Sequence, residues 1–556
     1  MPSEKGWLES KRLPAVAIAV ACVLSLPTLW GGLRLDDLVH RAKLTGGAAW
    51  NPESVGWSTM FEFVRGTPEE HARYVEVGLG PWWIAPHLRM SFFRPVSCLT
   101  HVLDYALWPQ HPALMHAHSI LWYVALLCVV VTLFRRFLGP RAANVAILFY
   151  AIDPAHGLPV GWVANRNALI AATFAFGALW LWDRGKIWRS SLLLAIALAS
   201  GESATAILGF FVAHWLFIDR RPLRAAAPIA LTVALWAAVY RLGHHGVVGS
   251  GAYADPVHAP VGYASGVLAH LPLLLGGELG APPADAYVFA GAGARIVLVL
   301  LGLAFVAWTA RLVPRTSTTK FFAVGALLAA FPSAATMPSG RLLVIAGFGL
   351  IGLVATICTE KISRPYAIWA WLTHVVLAPV LFIGNAQNMV LIDGVLRRYA
   401  AGVPSDGSAA DKRLMLVNAP DTAFAYYLLV DALEDGLSPP RRMLTMSGNR
   451  RDLRVTRAAE NALVIHEEGG FYRDSTEMLF RDRTPMHVGE VVEQSDTRIT
   501  VVHVLPDGTP DEARFEMTRP LDGYVFRAWQ GRALVPFDLP PVGESVSFPA
   551  QMVSLF

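Results

Sequence analysis

Apolar runs of membrane-crossing length, joined by connections that are basic on every second occasion, constrain this chain more than any other feature. A helix rises 1.5 Å per residue, so roughly 17–25 apolar residues cross a hydrocarbon core of about 30 Å. The runs predict helices near 13–31, 115–134, 142–158, 166–183, 188–200, 203–218, 224–241, 294–312, 320–336, 341–359 and 366–388. Lys5, Lys11 and Arg12 precede the first, and Arg135, Arg136 and Arg141 follow the second. Arg184, Lys186 and Arg189, then Arg220, Arg221 and Arg224, then Arg311, Arg315 and Lys320, then Lys361 and Arg364 complete the alternation. Lys and Arg are retained on the cytoplasmic side. The expected fold class is therefore membrane all-α, a polytopic bundle of about eleven transmembrane helices over residues 1–400. A polar domain over 401–556 follows. The expected setting is multi-pass in the plasma (bacterial inner) membrane, with the N-terminus cytoplasmic and the C-terminal domain extracytoplasmic, or periplasmic.

Composition closes off other classes. Hydrophobic residues make up 54% and charged residues 16% of the 556, and mean hydropathy is +0.43. A chain this apolar is expected to have the bilayer as its solvent and partner. A net charge of +4 gives no case for nucleic acid. Three of the four cysteines lie within apolar runs, so no disulfide framework is expected. The basic, then apolar, N-terminus resembles a signal peptide, but no small-residue cleavage site follows, and it reads as an uncleaved first helix.

Two stretches test the alternation. Ser191 to Phe217 is apolar except for Gly201-Glu202-Ser203. A hairpin there keeps Arg184 and Arg220 on one side and leaves Glu202 recessed, because arms of about 15 residues reach only about 22 Å. Residues 258–290 read as an interfacial or re-entrant segment on the outer face. The first outer loop, 32–112, carries Trp50, Trp57, Trp82 and Trp83. Tryptophans suit the membrane interface, so this loop is expected to lie on the outer leaflet as short amphipathic helices. The C-terminal domain reads as mixed α/β and β-rich. Arg413–Asn418 is a strand, Asp421–Leu433 a helix with Asp421 as N-cap, and Arg498–Val504 a strand. Asp507-Gly508 and Asp522-Gly523 are turns.

Polar groups are costly at membrane depth, so those at outer helix ends draw the functional reading. Arg34-Leu-Asp36-Asp37 places two adjacent carboxylates past the first helix. Such a pair could act as a general base or bind a divalent cation (Mg or Mn); solvated loop acids or a helix N-cap are the plain alternatives. Arg94, Arg166 and Arg341 fall on outer helix ends, against the positive-inside trend. A guanidinium grips phosphate through two parallel hydrogen bonds, which points to a lipid phosphate; snorkelling to headgroups is the alternative. Glu202 is a recessed carboxylate whose structural reading is a pair with an arginine. His156 reads as an interfacial hydrogen-bonder, and His116 and His118 point to different faces of one helix.

In series these motifs resemble the GT-C integral membrane glycosyltransferases, in the branch of the tetratricopeptide-containing O-mannosyltransferases and their bacterial relatives. That branch has an acidic pair in the first outer loop (here Asp36-Asp37) and a Phe/Tyr-Arg-Pro before the second helix (Phe93-Arg94-Pro95). A histidine follows, where His116 stands. A His-Pro-x-His-like stretch running to Gly-Arg-Lys/Asp reads Asp153-Pro-Ala-His156-Gly-Leu-Pro-Val-Gly-Trp162-Val-Ala-Asn-Arg166-Asn167 in this chain. Ser-Lys-Glu reads Ser200-Gly201-Glu202, and a later arginine is matched by Gly340-Arg341. The likeness covers roughly residues 10–390. Gly201, Asn167 and Asp153 depart from it, and the tetratricopeptide array is absent. The resemblance implies a GT-C-like bundle acting as a cell-envelope hexosyltransferase. It would move a sugar from a polyprenyl-phosphate donor to a protein, lipid or glycan acceptor. In that scheme Asp36 or Asp37 is catalytic, Arg94, Arg166 and Arg341 hold the donor phosphate, and His116, His156 and Glu202 support them. A lipid-linked saccharide transporter and an inactive scaffold of the same fold are the alternatives.

Overall fold

The computed structural model describes residues 7–46, 55–257, 259–419, 421–434, 436–448, 450–474 and 476–551; Lys5 and Trp50 lie outside them. The chain divides into two compact units. One comprises Met1–Asp37, Phe92–His245 and Ala254–Val390, the other Leu38–Ser91, Gly246–Tyr253 and Leu391–Phe556.

The first unit is helical. Each of the eleven expected segments is helical over part of its length. Among the described residues, six helices are long and apolar enough to cross a membrane: Leu13–Trp30, Pro112–Phe137, Leu223–Leu242, Ala292–Leu312, Ser317–Ala335 and Arg364–Ala386. Ile187–Leu198, Glu202–Phe217 and Ala346–Thr359 are shorter apolar helices. The chain is thus a multi-pass membrane protein, and among the described residues several of the expected segments are shorter than full spanning length for local reasons. The helix expected over 142–158 ends at Ala151, because the Asp153 carboxylate accepts from the Ala155 N–H (2.8 Å) and starts a tight turn over Pro154–His156. Gly201 and Glu202 interrupt the 191–217 run. Within 258–290 the structure has a helix Pro260–Glu278 with Pro272 inside it, then a short helix Ala286–Phe289.

Burial sorts these helices. Ala346–Thr359 is enclosed along nearly its whole length and packs against Ser317–Ala330 and Pro140–Ala151. Leu223–Leu242 and Ala292–Leu312 expose leucine, isoleucine and valine side chains along most of their surface. An apolar helix bare on that scale suits lipid rather than water.

The second unit is β-rich. Its strands are β1 (Glu62–Val64), β2 (Arg89–Ser91), β3 (Gly246–Val248), β4 (Arg413–Leu416), β5 (Arg442–Thr445), β6 (Leu453–Ala459), β7 (Ala462–Glu467), β8 (Val491–Glu493), β9 (Thr497–Val504), β10 (Pro510–Met517), β11 (Tyr524–Gln530), β12 (Ala533–Pro536) and β13 (Ser545–Phe548). They form three sheets, ordered β1-β2-β3, β13-β6-β7-β10-β9-β8 and β12-β11-β4-β5. The first two are antiparallel. In the third, β11, β4 and β5 run parallel, and helix Thr422–Glu434 makes the β4-to-β5 crossover that parallel strands require.

The first outer loop departs from expectation. Trp82 and Trp83 do not sit at a membrane interface: both are buried in one core with Met415, Leu444, Phe471 and Phe515. Trp82 meets Phe471 edge-to-face at 5.2 Å and Phe515 at 5.9 Å, and its indole N–H donates to the Met446 carbonyl at 3.1 Å. Both the apolar ring and its polar tip are satisfied; Trp57 stays exposed. Helix Pro68–Val77 ends at Gly78, in the left-handed region at φ +86. A Cβ there would lie 2.1 Å from the Met443 carbonyl oxygen, so only glycine lets the loop lie against β5. Arg413, wholly buried, pairs with Asp496 and, at 2.9 Å, with Glu76; Arg442 joins Asp496 at 2.9 Å.

Candidate functional site

The Arg34–Asp37 turn begins helix Asp36–Thr45. Leu35 takes φ +53, a conformation that a branched side chain rarely adopts and that marks stored strain. Asp37 is buried, and both its oxygens accept backbone N–H groups: Oδ1 from Ala164 at 2.6 Å and Oδ2 from Arg34 at 3.0 Å. The carboxylate thereby staples the first outer loop to the 162–166 turn. Burial pushes the Asp37 carboxyl up to about 7; the two N–H donors and Arg166 act against that rise, and Asp36 adds to it. Asp36, next along the turn, is half-buried.

The staple gathers further groups. The Trp162 indole N–H donates to the Arg34 carbonyl at 3.3 Å, and the Arg341 guanidinium lies 6.0 Å from the Trp162 ring centre. Asp285 holds the turn that carries Arg341, accepting from the Ser339 hydroxyl at 2.7 Å and the Gly340 N–H at 2.9 Å. His116 reaches the Gly32 carbonyl at 2.9 Å. The Asp37 staple, the Trp162 indole and the partly exposed Arg341 guanidinium are thus linked in the helical unit.

Arg166 is placed differently from the other arginines. It is wholly buried, with Nε on the Ser119 hydroxyl (2.9 Å), Nη2 on the Met115 carbonyl (2.8 Å) and Nη1 on Asp104 (2.6 Å). The other Asp104 oxygen meets His118 Nδ1 at 2.6 Å, and the Trp122 indole N–H donates to His118 Nε2 at 3.0 Å. His118 thus links Asp104 to Trp122, and Arg166 Nη1 lies 3.2 Å from the same His118 Nδ1. The guanidinium is spent on this enclosed network. Asp104 was not singled out from the sequence; its only local signal is an acid three residues short of the end of helix Pro95–Leu107.

Arg94 and Glu202 form an ion pair at 2.8 Å, with Arg94 stacked 4.5 Å from the Phe92 ring centre. Ser97 and Val96 bind the Ser200 and Ala199 carbonyls beside it. Asn167 donates to the Ala164 carbonyl at 2.8 Å, which joins this region to the Asp37 staple. A Cβ on Gly201 would lie 3.4 Å from the Asn167 Oδ1, an ordinary contact, so the departures at 167 and 201 are neighbours. His156 is buried between the Tyr123 and Tyr150 rings, 5.2 and 4.5 Å away, and serves the core.

Among the described residues no group of three or more His, Cys, Asp and Glu side chains is placed to hold a metal ion. The acidic pair offers two carboxylates, one of them with both oxygens committed to backbone N–H groups. Mg and Mn favour six oxygen ligands, and this donor set does not fit such an ion.

No protein-family profile matches the chain. Over 136 residues it is 24% identical to protein O-mannosyl-transferase TMTC3 of Mus musculus, covering 23% of this chain and 15% of that protein. Over that stretch the chain is similar to that transferase. The human protein of the same name matches equally, at 24% over 136 residues. The matched stretch spans under one sixth of each of these relatives. Among solved structures, the Archaeoglobus fulgidus oligosaccharyltransferase aligns with TM-score 0.36 and 12% identity over 78% of this chain and 64% of that one, a likeness too loose to define a fold.

Proposed function

We propose that the chain is a GT-C-like membrane glycosyltransferase that moves a sugar from a polyprenyl-phosphate donor to an acceptor hydroxyl on the extracytoplasmic face. The observation that carries the reading is the Asp37 staple, which ties the turn bearing Asp36 to the 162–166 turn, whose Trp162 ring neighbours Arg341. Asp36 takes the proton from the acceptor hydroxyl, whose oxygen attacks the anomeric carbon as the bond to the lipid phosphate breaks. Arg341, seated on Trp162, stabilises the negative charge that develops on the departing phosphate. Asp37 is the positioning residue. Arg94 neutralises Glu202 and fixes the neighbouring helix ends, and Arg166 is structural. No step requires a metal ion.

The sidedness has a physical support. Residues 38–91, 246–253 and 391–556 build one folded unit, and a soluble unit cannot be assembled from both faces of a bilayer. All three segments fall in connections that charge alternation assigns to the outside. The relative's name makes a mannosyl donor the first to try.

The test is turnover of polyprenyl-phosphate mannose by the full chain in lipid nanodiscs. Loss of turnover in D36A with an unchanged melting temperature supports the assignment; wild-type rates in a D36A/D37A chain would sink it. One observation favours an inactive scaffold instead: glycine stands at 201, where the resemblance has a lysine. A folded wild type that turns over no polyprenyl-phosphate sugar would decide for that reading.

A further inference from the structure

Two carboxyls that the proposed reaction does not use are buried in the β-rich unit. Glu467 ends β7 and Glu477 lies in the turn after it; neither exposes any surface. Adjacent residues at the end of β5 touch one each. The Ser447 hydroxyl donates to Glu467 Oε2 at 2.8 Å, and a Cβ on Gly448 would lie 2.1 Å from Glu477 Oε1. Glu477 Oε2 accepts the Arg473 and Asp474 N–H groups at 3.0 and 3.2 Å. The remaining oxygens, Glu467 Oε1 and Glu477 Oε1, have no hydrogen-bond partner among the described residues.

We propose that Glu467 and Glu477 form a proton-operated latch that fastens the 471–482 turn to the end of β5 and lets go as both carboxyls ionise. Two ionised carboxylates buried against adjacent residues, each with an oxygen that no described residue hydrogen-bonds, repel one another and pay a desolvation cost; one proton on each lowers both penalties. The other groups facing the pair are few. Arg451, on the loop after β5, lies between it and Asp474, which it meets at 3.6 Å. Arg473 is drawn off to Asp507 at 2.6 Å. Thr422 approaches Gly448 from the start of helix Thr422–Glu434. His466 points to the opposite face of β7, toward Glu512 at 3.9 Å. Burial, then the neighbouring Glu477 charge, holds the Glu467 carboxyl well above the usual range; burial, then Asp474, pushes Glu477 up to about 7.

The turn has a reach. Its Met478 carbonyl accepts the Gly251 N–H at 2.7 Å, its Phe480 carbonyl accepts the Ala85 N–H at 2.9 Å, and its Asp482 N–H donates to the Gly249 carbonyl at 2.8 Å. Release of the latch therefore loosens the 246–253 segment that carries β3, and the loop after Trp83.

Folded-state affinities raised above the unfolded value of about 4.3 mean that the latch is fully closed below that pH and weakens as pH rises through 7. The test is hydrogen exchange of the full chain in nanodiscs with EDTA, followed on peptides 246–253 and 474–482 between pH 5 and 8.5 and normalised to intrinsic rates. Protection is expected to fall more than tenfold over that range in the wild type. It should stay high and flat in E467Q/E477Q, whose amides mimic the protonated pair. The proposal is overturned if wild-type protection does not depend on pH, if the dependence survives in the double variant, or if added Mg or Ca abolishes it. Should the double variant not fold, E477Q decides: a shallower pH dependence supports the latch, and an unchanged one overturns it.

Discussion

Replacing Arg166 with methionine separates a structural arginine from a donor-binding one. Arg166 and Asp104 are both 0% exposed and meet at 2.6 Å. The methionine keeps the apolar stem and removes the hydrogen bonds to Ser119 and Met115 and the ion pair with Asp104. It leaves the Asp104 carboxyl buried beside His118 without its guanidinium. Breaking one side of a buried pair costs about 3–5 kcal/mol, whereas removing both partners is close to neutral. At roughly 2 °C per kcal/mol for a unit of this size, R166M should melt about 6–10 °C lower, and R166M/D104N should recover at least half of that loss. Thermal unfolding in detergent, followed by tryptophan fluorescence, measures both. If R166M melts like the wild type and only its affinity for a polyprenyl-phosphate ligand falls, the guanidinium contacts donor and the structural assignment is wrong. If the two single losses simply add, the pair is not coupled and the argument also fails.

Other expectations follow from the same geometry. In D37N one of the two backbone N–H groups, of Arg34 or Ala164, loses its acceptor, so turnover should fall severalfold although Asp36 is intact; a wild-type rate would show that the staple does not position the site. D285N, which frees the Ser339–Gly340 turn, should raise KM for the donor severalfold while leaving the melting temperature within about 2 °C. W82A should destabilise the β-rich unit by about 3–5 kcal/mol, read as protease sensitivity of residues 391–556; resistance equal to wild type would place Trp82 outside that core. G78A should do the same through its 2.1 Å clash with Met443.

Membrane helices were legible in the sequence because hydropathy and charge act locally. Their full lengths were not, because Asp153 and the Gly201-Glu202 break end helices through single hydrogen bonds and one flexible residue. The strand at Arg413, the helix after Asp421 and the Asp507-Gly508 turn follow from alternation and turn chemistry, and each is present. Trp82 and Trp83 misled because an indole suits an interface and a core equally well, and their partners lie hundreds of residues away. The acidic pair could be read as a candidate, but the distinction between Asp36 and Asp37 could not, since it depends on the Ala164 N–H. Arg166 drew attention as a cation out of place; its partner Asp104 carried no signal of its own.

Trp82 also sets a timetable for synthesis. The carbonyl that receives its indole N–H belongs to a residue 364 positions later. At about 5–20 residues per second, the loop that ends in this tryptophan waits roughly 20–70 s for its sheet to be made. Throughout that interval two large indoles stand without their core while the intervening helices enter the bilayer. Ribosome stalling before residue 446 should leave the loop open to proteases.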